Sequence, residues 1–300
     1  MSSAPRDRLD RLASPEMSRT ATEVIPRIPD PVRKVVRNTV WASGRLTARW
    51  RGLPDFLVIG AQKSGTTALY TYLRWHPEIL GPFWKEVSFF DRHWAKGGAW
   101  YRGQLPLRSD GKVVGEASPS YLFHPLAPER VVSLVPDVKL IVLLREPGER
   151  AYSHYQHEVA LGREPLPFED SLEAEDERLR GEVERLHSDP KAFSFAWWNH
   201  TYVSRGLYAD QLERWFELFP REHVLTLTTE ELGERPAETY ATVLSFLGAP
   251  PHALDAYPRV FDRDYPPMRE ETRRALTARF AEPNRRLEEL LGRPLGWPAA

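Results

Sequence analysis

Short apolar runs alternate with amphipathic stretches along most of the chain. Four runs stand out, at residues 56–59, 112–116, 139–144 and 224–227. Runs of this length without polar alternation are typical of strands buried on both faces of a parallel sheet. Helical periodicity follows or separates them, at about 65–75, 125–135, 148–161 and 269–291. The alternation predicts an α/β fold, a P-loop-like three-layer sandwich with a mainly parallel central sheet flanked by helices.

The N-terminal stretch has a different pattern. Residues 1–31 contain five prolines among scattered charges and have no sustained period, which predicts disorder. Residues 31–51 place valines between basic residues, as in a short amphipathic helix. A helix packed on the domain edge or left loose in solvent is favoured over weak contact with an anionic membrane surface. We therefore predict a basic arm over 1–52, disordered or loosely helical, and one folded domain over 53–297.

Charge separates the same two parts. Residues 1–52 hold 11 Lys/Arg and 5 Asp/Glu, a net +6, so the chain's net charge of −1 leaves −7 for the remainder. A nucleic-acid binder carries its basic surface on the folded domain, so no nucleic-acid partner is expected. No apolar run reaches the ~20 residues of a membrane span. Cysteine is absent, which excludes disulfides and thiolate metal sites, and we expect a cytoplasmic protein.

An anion-binding loop is predicted directly after the first apolar run. Residues 60–67 read Gly-Ala-Gln-Lys-Ser-Gly-Thr-Thr and lead into a helix. Amides at a helix start bind phosphates, Lys63 adds a full charge, and Thr66 and Thr67 add hydroxyl donors. In a Walker A loop the sequence Gly-Lys-Ser/Thr opens the helix. Here Lys63 comes two residues before Gly65, so the segment is not a Walker A loop.

Two further segments carry candidate chemistry. Arg145 follows the run at 139–144, and Ser153 lies eight residues later in a predicted helix, which suits a clamp for a second phosphate. Glu86 precedes a Phe-Phe pair, and a carboxyl group beside apolar surface has a raised pKa that suits a general base. From spacing alone, an ordinary half-buried edge strand is favoured there. No cluster of His, Asp and Glu has metal-ligand spacing, so no metal is expected.

Together these segments resemble the carbohydrate sulfotransferases, above all the heparan sulfate N- and 3-O-sulfotransferase type. The resemblance covers about residues 54–297. It rests on five blocks of sequence: the loop, His76-Pro77, Lys85-Glu86-Val87 with Phe89-Phe90-Asp91, Arg145-Glu146-Pro147 with Ser153-His154-Tyr155, and the tail Glu282-Pro283-Asn284-Arg285-Arg286-Leu287 with Gly292-Arg293 and Trp297.

The resemblance implies transfer of a sulfuryl group from 3′-phosphoadenosine 5′-phosphosulfate (PAPS) to a hydroxyl or amine of a sugar-containing acceptor. The product nucleotide is 3′-phosphoadenosine 5′-phosphate (PAP), and no metal takes part. Glu86 is the implied general base, and Lys63 stabilises the leaving phosphate. The implied nucleotide ligands are Lys63, Ser64, Gly65, Thr66 and Thr67 at the 5′ end and Arg145 and Ser153 at the 3′-phosphate. Gln62, Arg205 and Tyr208 are additional candidates.

The chain also departs from the family pattern. Ala117 stands where members often have a lysine, which weighs against an acidic glycosaminoglycan acceptor. The family's cysteine-bridged loop is absent, so Arg263 and Tyr265 are only candidates on the adenine side. The acidic stretch 164–190 reads as a solvated peripheral helix, and the aromatic stretch 195–200 favours core packing over a sugar platform.

Two other functions stay open at this point. One is a P-loop kinase-like phosphotransferase, which magnesium dependence would favour. The other is a non-catalytic scaffold that keeps the nucleotide fold, which a nucleotide-binding protein without turnover would favour. The oligomeric state is unknown.

Overall fold

A five-stranded sheet lies at the centre of the computed structural model, which describes residues 39, 44–189, 191–258 and 265–299. The strand order is β2-β3-β1-β4-β5, and all four pairings in the described sheet are parallel. The predicted α/β fold with a parallel sheet is confirmed. The strands are β1 (Phe56–Gly60), β2 (Ile79–Leu80), β3 (Val113–Ala117), β4 (Lys139–Leu144) and β5 (Val224–Thr228).

Twelve α-helices lie within the described ranges. They are α1 (Thr66–Trp75), α2 (Gly98–Arg102), α3 (Ala127–Leu134), α4 (Pro147–Ala160), α5 (Phe168–Glu173), α6 (Glu175–Leu179), α7 (Glu182–Ser188), α8 (Phe195–Asn199), α9 (Tyr208–Phe216), α10 (Thr229–Glu234), α11 (Pro236–Leu247) and α12 (Glu270–Leu291). None of the described helices is long and apolar enough to cross a bilayer.

Apolar side chains cover both faces of the sheet, which gives three layers. On one face, Leu57 and Ile59 of β1 belong to a buried cluster with residues of α2, α3, α9 and α12. On the other face, Phe56 and Val58 belong to a second cluster with residues of α1, α10 and α11. Every residue of β1 is buried, as its unbroken apolar run predicted.

The order of the strands fixes where a ligand fits. After β1 the chain forms β2 and β3 on one side of it and then crosses to form β4 on the other. In an open parallel sheet, the crevice for a ligand lies beyond the carboxyl ends of the strands at such a switch point. The carboxyl end of β1 is therefore the expected position of the site.

Several predictions concern residues outside the described ranges. Nearly all of the predicted arm, residues 1–38 and 40–43, lies there, and so does Arg263. Tyr265 is described, and its ring meets that of Tyr152 edge-on with a centroid separation of 5.6 Å. The domain boundaries at 53 and 297 stay predictions.

Candidate active site

The loop after β1 bends sharply into α1. The Ala61 amide donates to the Leu143 carbonyl over 2.7 Å, which ties the loop to β4. Lys63 and Gly65 both have left-handed backbones, with φ of 71° and 84°. Gly65 takes the N-cap position of α1, and no side chain caps the helix there. Amides in a first helical turn have no intrahelical acceptor, so this turn offers hydrogen-bond donors to an anion.

Side chains from three elements hold the loop in place. The Thr229 hydroxyl at the start of α10 lies 2.8 Å from the Ser64 carbonyl and 2.9 Å from the Leu144 carbonyl. The Arg145 guanidinium donates to the Lys63 carbonyl over 3.4 Å. The buried Tyr208 hydroxyl donates in turn to the Arg145 carbonyl over 2.9 Å. The structure thus brings Arg145 and Tyr208 against the predicted loop.

The loop side chains differ in burial. Ser64 and Thr66 are buried, whereas Gln62, Lys63, Gly65 and Thr67 are only half-buried. The half-buried residues therefore have solvent-accessible surface to offer a ligand, and the contacts of Ser64 and Thr66 with a nucleotide stay predictions.

The start of α4 is closed to an external anion. The Glu146 carboxylate caps it by accepting from the amides of Gly148 and Glu149 over 3.0 and 2.6 Å. Arg145 lies just before this cap, with the Glu149 carboxylate 3.7 Å from its guanidinium. Ser153 lies about two turns into α4 and is buried. Any anion held by Arg145 and Ser153 must therefore bind along the side of α4.

Glu86 does not lie in the half-buried edge strand that spacing favoured. Its backbone is left-handed, with φ of 64°, and its amide donates to the Ala117 carbonyl over 3.1 Å. Its side chain is 53% exposed and pairs with the Lys85 ammonium at 3.0 Å. The predicted apolar setting of this carboxylate is therefore wrong, because the turn directs it outward while the following Phe89 and Phe90 fill the core.

A cleft of about 370 Å³ opens beside Glu86. Its lining comes from the segment 82–88, from Arg92, His93 and Gln104, and from Trp198 of α8. The Arg92 guanidinium lies 4.7 Å from the Phe193 ring centre and 5.7 Å from that of Trp198. Aromatic faces next to polar and basic groups suit the stacking and hydrogen bonding of a polar ring compound.

Comparison with known proteins decides the family. The family model described as "Sulfotransferase domain" matches residues 53–262. The chain belongs to the sulfotransferase family. It is 32% identical to heparan sulfate glucosamine 3-O-sulfotransferase 6 of Mus musculus over 274 residues, covering 82% of this chain and 74% of that protein. The predicted resemblance is therefore confirmed.

Two further similarities show how much of each protein the match covers. The chain is 29% identical to bifunctional heparan sulfate N-deacetylase/N-sulfotransferase 3 of Homo sapiens, covering 96% of this chain but only 36% of that protein. The crystal structure of a sulfotransferase from Alicyclobacillus acidocaldarius matches with a TM-score of 0.62 and 32% identity, covering 81% of this chain and 98% of that one. This sulfotransferase thus spans about a third of the length of the bifunctional relative.

Arg205 of the sulfotransferase is buried instead of lying open to a ligand. Its guanidinium contacts the Thr201 hydroxyl at 2.5 Å and the carbonyls of Trp197 and Trp198 at 3.2 and 3.3 Å. Burial lowers its pKa to about 9. These contacts fix the chain around Trp198, which lines the cleft. Direct ligand contact by Arg205 stays a prediction.

Two carboxylates that the sequence did not single out hold this region. Glu175 is buried and accepts hydrogen bonds from the amides of Tyr202, Val203 and Ser204 over 2.6–2.8 Å. Glu164 is buried and pairs with Arg178 at 2.6 Å. The prediction of one solvated helix over 164–190 is therefore wrong, because three short helices replace it and these two acids face inward.

The aromatic stretch 195–200 divides between both predicted roles. The Trp197 ring stacks on Phe123 at 4.4 Å, as core packing predicts. Its neighbour Trp198 lines the cleft. The sequence of the stretch alone does not show which tryptophan packs in the core and which lines the cleft. The short helix α8 sets the two side chains in different directions.

Proposed function

We propose that this sulfotransferase moves a sulfuryl group from PAPS to a hydroxyl or amine of a sugar-containing acceptor. The observation that carries the proposal is that the Lys63 loop and Glu86 lie at the carboxyl ends of two adjacent parallel strands. The carboxyl end of β1 leads into the loop with Lys63, and the carboxyl end of the adjacent β3 holds the Glu86 amide through Ala117. Neighbouring strands lie about 4.8 Å apart, so a base and an anion-binding loop adjoin there.

The donor set of the loop fits a phosphate-bearing nucleotide. Backbone amides at the start of α1 and the Lys63 ammonium are hydrogen-bond donors suited to an anionic 5′ end. Ser64, Gly65, Thr66 and Thr67 shape this part of the site. Arg145 and Ser153, with Tyr208 behind Arg145, would hold the 3′-phosphate from the side of α4. PAPS supplies an activated sulfuryl group, and its transfer leaves added negative charge on the 5′-phosphate.

The protein's own groups have two tasks in the reaction. Lys63 and the first-turn amides of α1 stabilise the negative charge of the departing nucleotide. Glu86 takes the proton that the acceptor hydroxyl or amine loses as its new bond to sulfur forms. The exposed Glu86 carboxylate faces the cleft from which an acceptor approaches.

The cleft beside Glu86 is the proposed acceptor site. Trp198 and Phe83 offer aromatic faces against which sugar rings stack, Arg92 offers hydrogen-bond donors, and the Gln104 amide oxygen is an acceptor without a partner among the described residues. The named relatives act on heparan sulfate, which supports a sugar-containing acceptor. Ala117 is fully buried in the apolar cluster that contains Phe56, so no cation replaces the family's lysine at that position.

A nucleotide comparison tests this proposal. Thermal unfolding is measured with PAP and, separately, with ADP and magnesium. A ligand at about 100 times its dissociation constant adds roughly 2.7 kcal/mol of stability. We expect stabilisation by PAP that is lost in Lys63→Ala and Arg145→Ala and kept in the exposed control Arg274→Ala. Stabilisation by ADP with magnesium alone would support the kinase alternative and contradict the proposal.

A further inference from the structure

The segment that carries Glu86 has a backbone that other parts of the protein must hold. Glu86 and Ser88 have φ of 64° and 50°, in the left-handed region that residues other than glycine rarely adopt. Each such residue costs free energy and persists only where its surroundings impose it. The surroundings of Ser88 and Phe89 therefore decide where Glu86 points.

Two hydroxyl groups hold the amides that follow Glu86. The Ser88 amide donates to the Ser118 hydroxyl over 3.0 Å. The Phe89 amide donates to the Tyr121 hydroxyl over 2.8 Å. Because each hydroxyl oxygen accepts from an amide, each hydroxyl proton is left to be donated to another acceptor.

Both hydroxyl protons go to the same carboxylate. Tyr121 donates to Glu116 over 2.6 Å, and Ser118 donates to the other carboxylate oxygen over 3.3 Å. The Tyr101 hydroxyl is a third donor, at 3.4 Å. Glu116 is fully buried at the end of β3. An ionised carboxylate accepts at both oxygens, whereas a carboxamide accepts only at one.

We propose that Glu116 is a positioning residue for the sulfuryl-transfer reaction, which fixes the Glu86 segment through the hydroxyls of Tyr121 and Ser118. The inference rests on the proposed function, in which Glu86 is the base. Glu116 touches neither substrate in this account. It acts by linking the rigid central sheet to the two amides that follow Glu86.

The aromatic packing around Glu116 supports this role. The Phe89 ring stacks on Tyr101 at 4.4 Å, and Phe90 meets Tyr121 edge-on at 5.3 Å. The rings that donate to Glu116 therefore also pack against the segment they hold. A buried carboxylate costs free energy in such an apolar cluster, and three hydroxyl donors offset that cost.

Amide hydrogen exchange tests the links one at a time. Exchange at Ser88 and Phe89 is measured relative to Val58 in β1, which reports global unfolding. We expect Tyr121→Phe to raise exchange mainly at Phe89, and Ser118→Ala mainly at Ser88, each by about tenfold or more. Glu116→Gln raises both. Tyr240→Phe is the matched control, since its buried hydroxyl has no partner among the described residues.

Turnover then separates positioning from folding. With PAPS as donor and a panel of neutral and acidic polysaccharides, heparan sulfate included, as acceptor probes, we expect Glu116→Gln to lower kcat by about 10–100-fold, since small displacements of a reacting group have effects of this size. Its Kd for PAP should stay within twofold of wild type. If Glu116→Gln does not fold, Tyr121→Phe and Ser118→Ala carry the same comparison.

The outcomes distinguish this inference from the proposed function. Wild-type exchange at both amides in folded Glu116→Gln, or in both hydroxyl variants, overturns the positioning role, as does a kcat equal to that of Tyr240→Phe. A wild-type protein that fails to bind PAP refutes the proposed function instead. The exchange measurement needs no turnover, so it decides the positioning role even then.

Discussion

The Glu86 amide donates a 3.1 Å hydrogen bond to the carbonyl of Ala117, the last residue of β3. This bond anchors the residue with the exposed carboxylate at the carboxyl end of β3. The Lys63 loop leaves the carboxyl end of the neighbouring strand β1. Two groups that are 23 positions apart in the sequence (86 − 63) thereby share one end of a rigid parallel sheet. The proposed chemistry follows from that adjacency, and the predictions below test its separate parts.

The charge of Lys63 is expected to matter most during transfer. Lys63→Ala should lower kcat by about 10²–10³, the usual effect of removing one electrostatic contact to developing charge. Steady-state kinetics with PAPS measure this. Lys112→Ala removes a half-buried lysine that directly precedes β3, at the end of the parallel sheet opposite to the Lys63 loop, and serves as the control. An equal loss in both variants would contradict a specific role for Lys63.

The left-handed backbone of Gly65 should be needed for the loop. Gly65→Ala places a Cβ on a residue with φ of 84°, which costs roughly 1–2 kcal/mol. We expect a lower unfolding temperature and weaker PAP binding. Gly233→Ala is the control, because it lies in helix α10 with open space around it. Greater loss of stability in Gly233→Ala than in Gly65→Ala would refute this explanation.

The Glu175 carboxylate is expected to stabilise the segment before Arg205. Glu175→Ala leaves three amides without their acceptor and should lower the free energy of unfolding by about 1–3 kcal/mol or more. Urea unfolding measures it. Glu177→Ala, whose side chain is 70% exposed in an ion pair with Arg180, should change it by less than about 1 kcal/mol. Similar losses in the two variants would argue against the buried role.

The pH dependence should reveal the ionisation of Glu116. Burial raises its pKa to about 7, and the groups facing it are Asp91, Tyr70, Tyr101 and Tyr121. The ionised form accepts the stronger, charge-assisted hydrogen bonds from both hydroxyls, so we expect kcat to fall as pH drops through about 7. In Glu116→Gln, kcat should be lower than in wild type and should not fall further as pH drops through about 7. The same fall of kcat with pH in wild type and Glu116→Gln would assign that pH dependence to another group.

Stability should change with pH in the opposite direction. A carboxyl group with a raised folded pKa binds more protons in the folded than in the unfolded state, so its contribution to stability falls as pH rises from about 4.5 to about 7. The stability of wild type relative to Glu116→Gln should therefore decrease over that range. Denaturant unfolding of the two proteins at pH 5 and pH 8 checks the sign, and an increase contradicts it.

The sequence predicted the sheet and the loop because their patterns are local. The run at 139–144 is apolar at five of its six positions, and β4 follows it residue for residue. The anion-binding loop was likewise predicted from neighbouring residues alone, by the order of Lys63 and Gly65 between a strand and a helix. The short edge strand β2 was missed because two residues, Ile79 and Leu80, give no periodicity.

The supporting carboxylates were missed for a different reason. Residues 164–184 contain nine Asp/Glu, and composition does not show that Glu164 and Glu175 turn inward to meet Arg178 and three backbone amides. Glu116 did leave a signal, since it is an acid inside an apolar run with hydroxyl residues two and five positions later. Its partners at positions 88 and 89 depend on tertiary structure.

Transfer of labelled sulfuryl groups tests the central claim most directly. Wild type and Glu86→Gln are each given ³⁵S-labelled PAPS and a panel of neutral and acidic polysaccharides that includes heparan sulfate, and Kd for PAP is measured in parallel. We predict labelled polysaccharide with wild type, a loss of at least about 10² with Glu86→Gln, and equal PAP affinity for both. Equal transfer by the two proteins, or PAP binding by neither, would contradict the account.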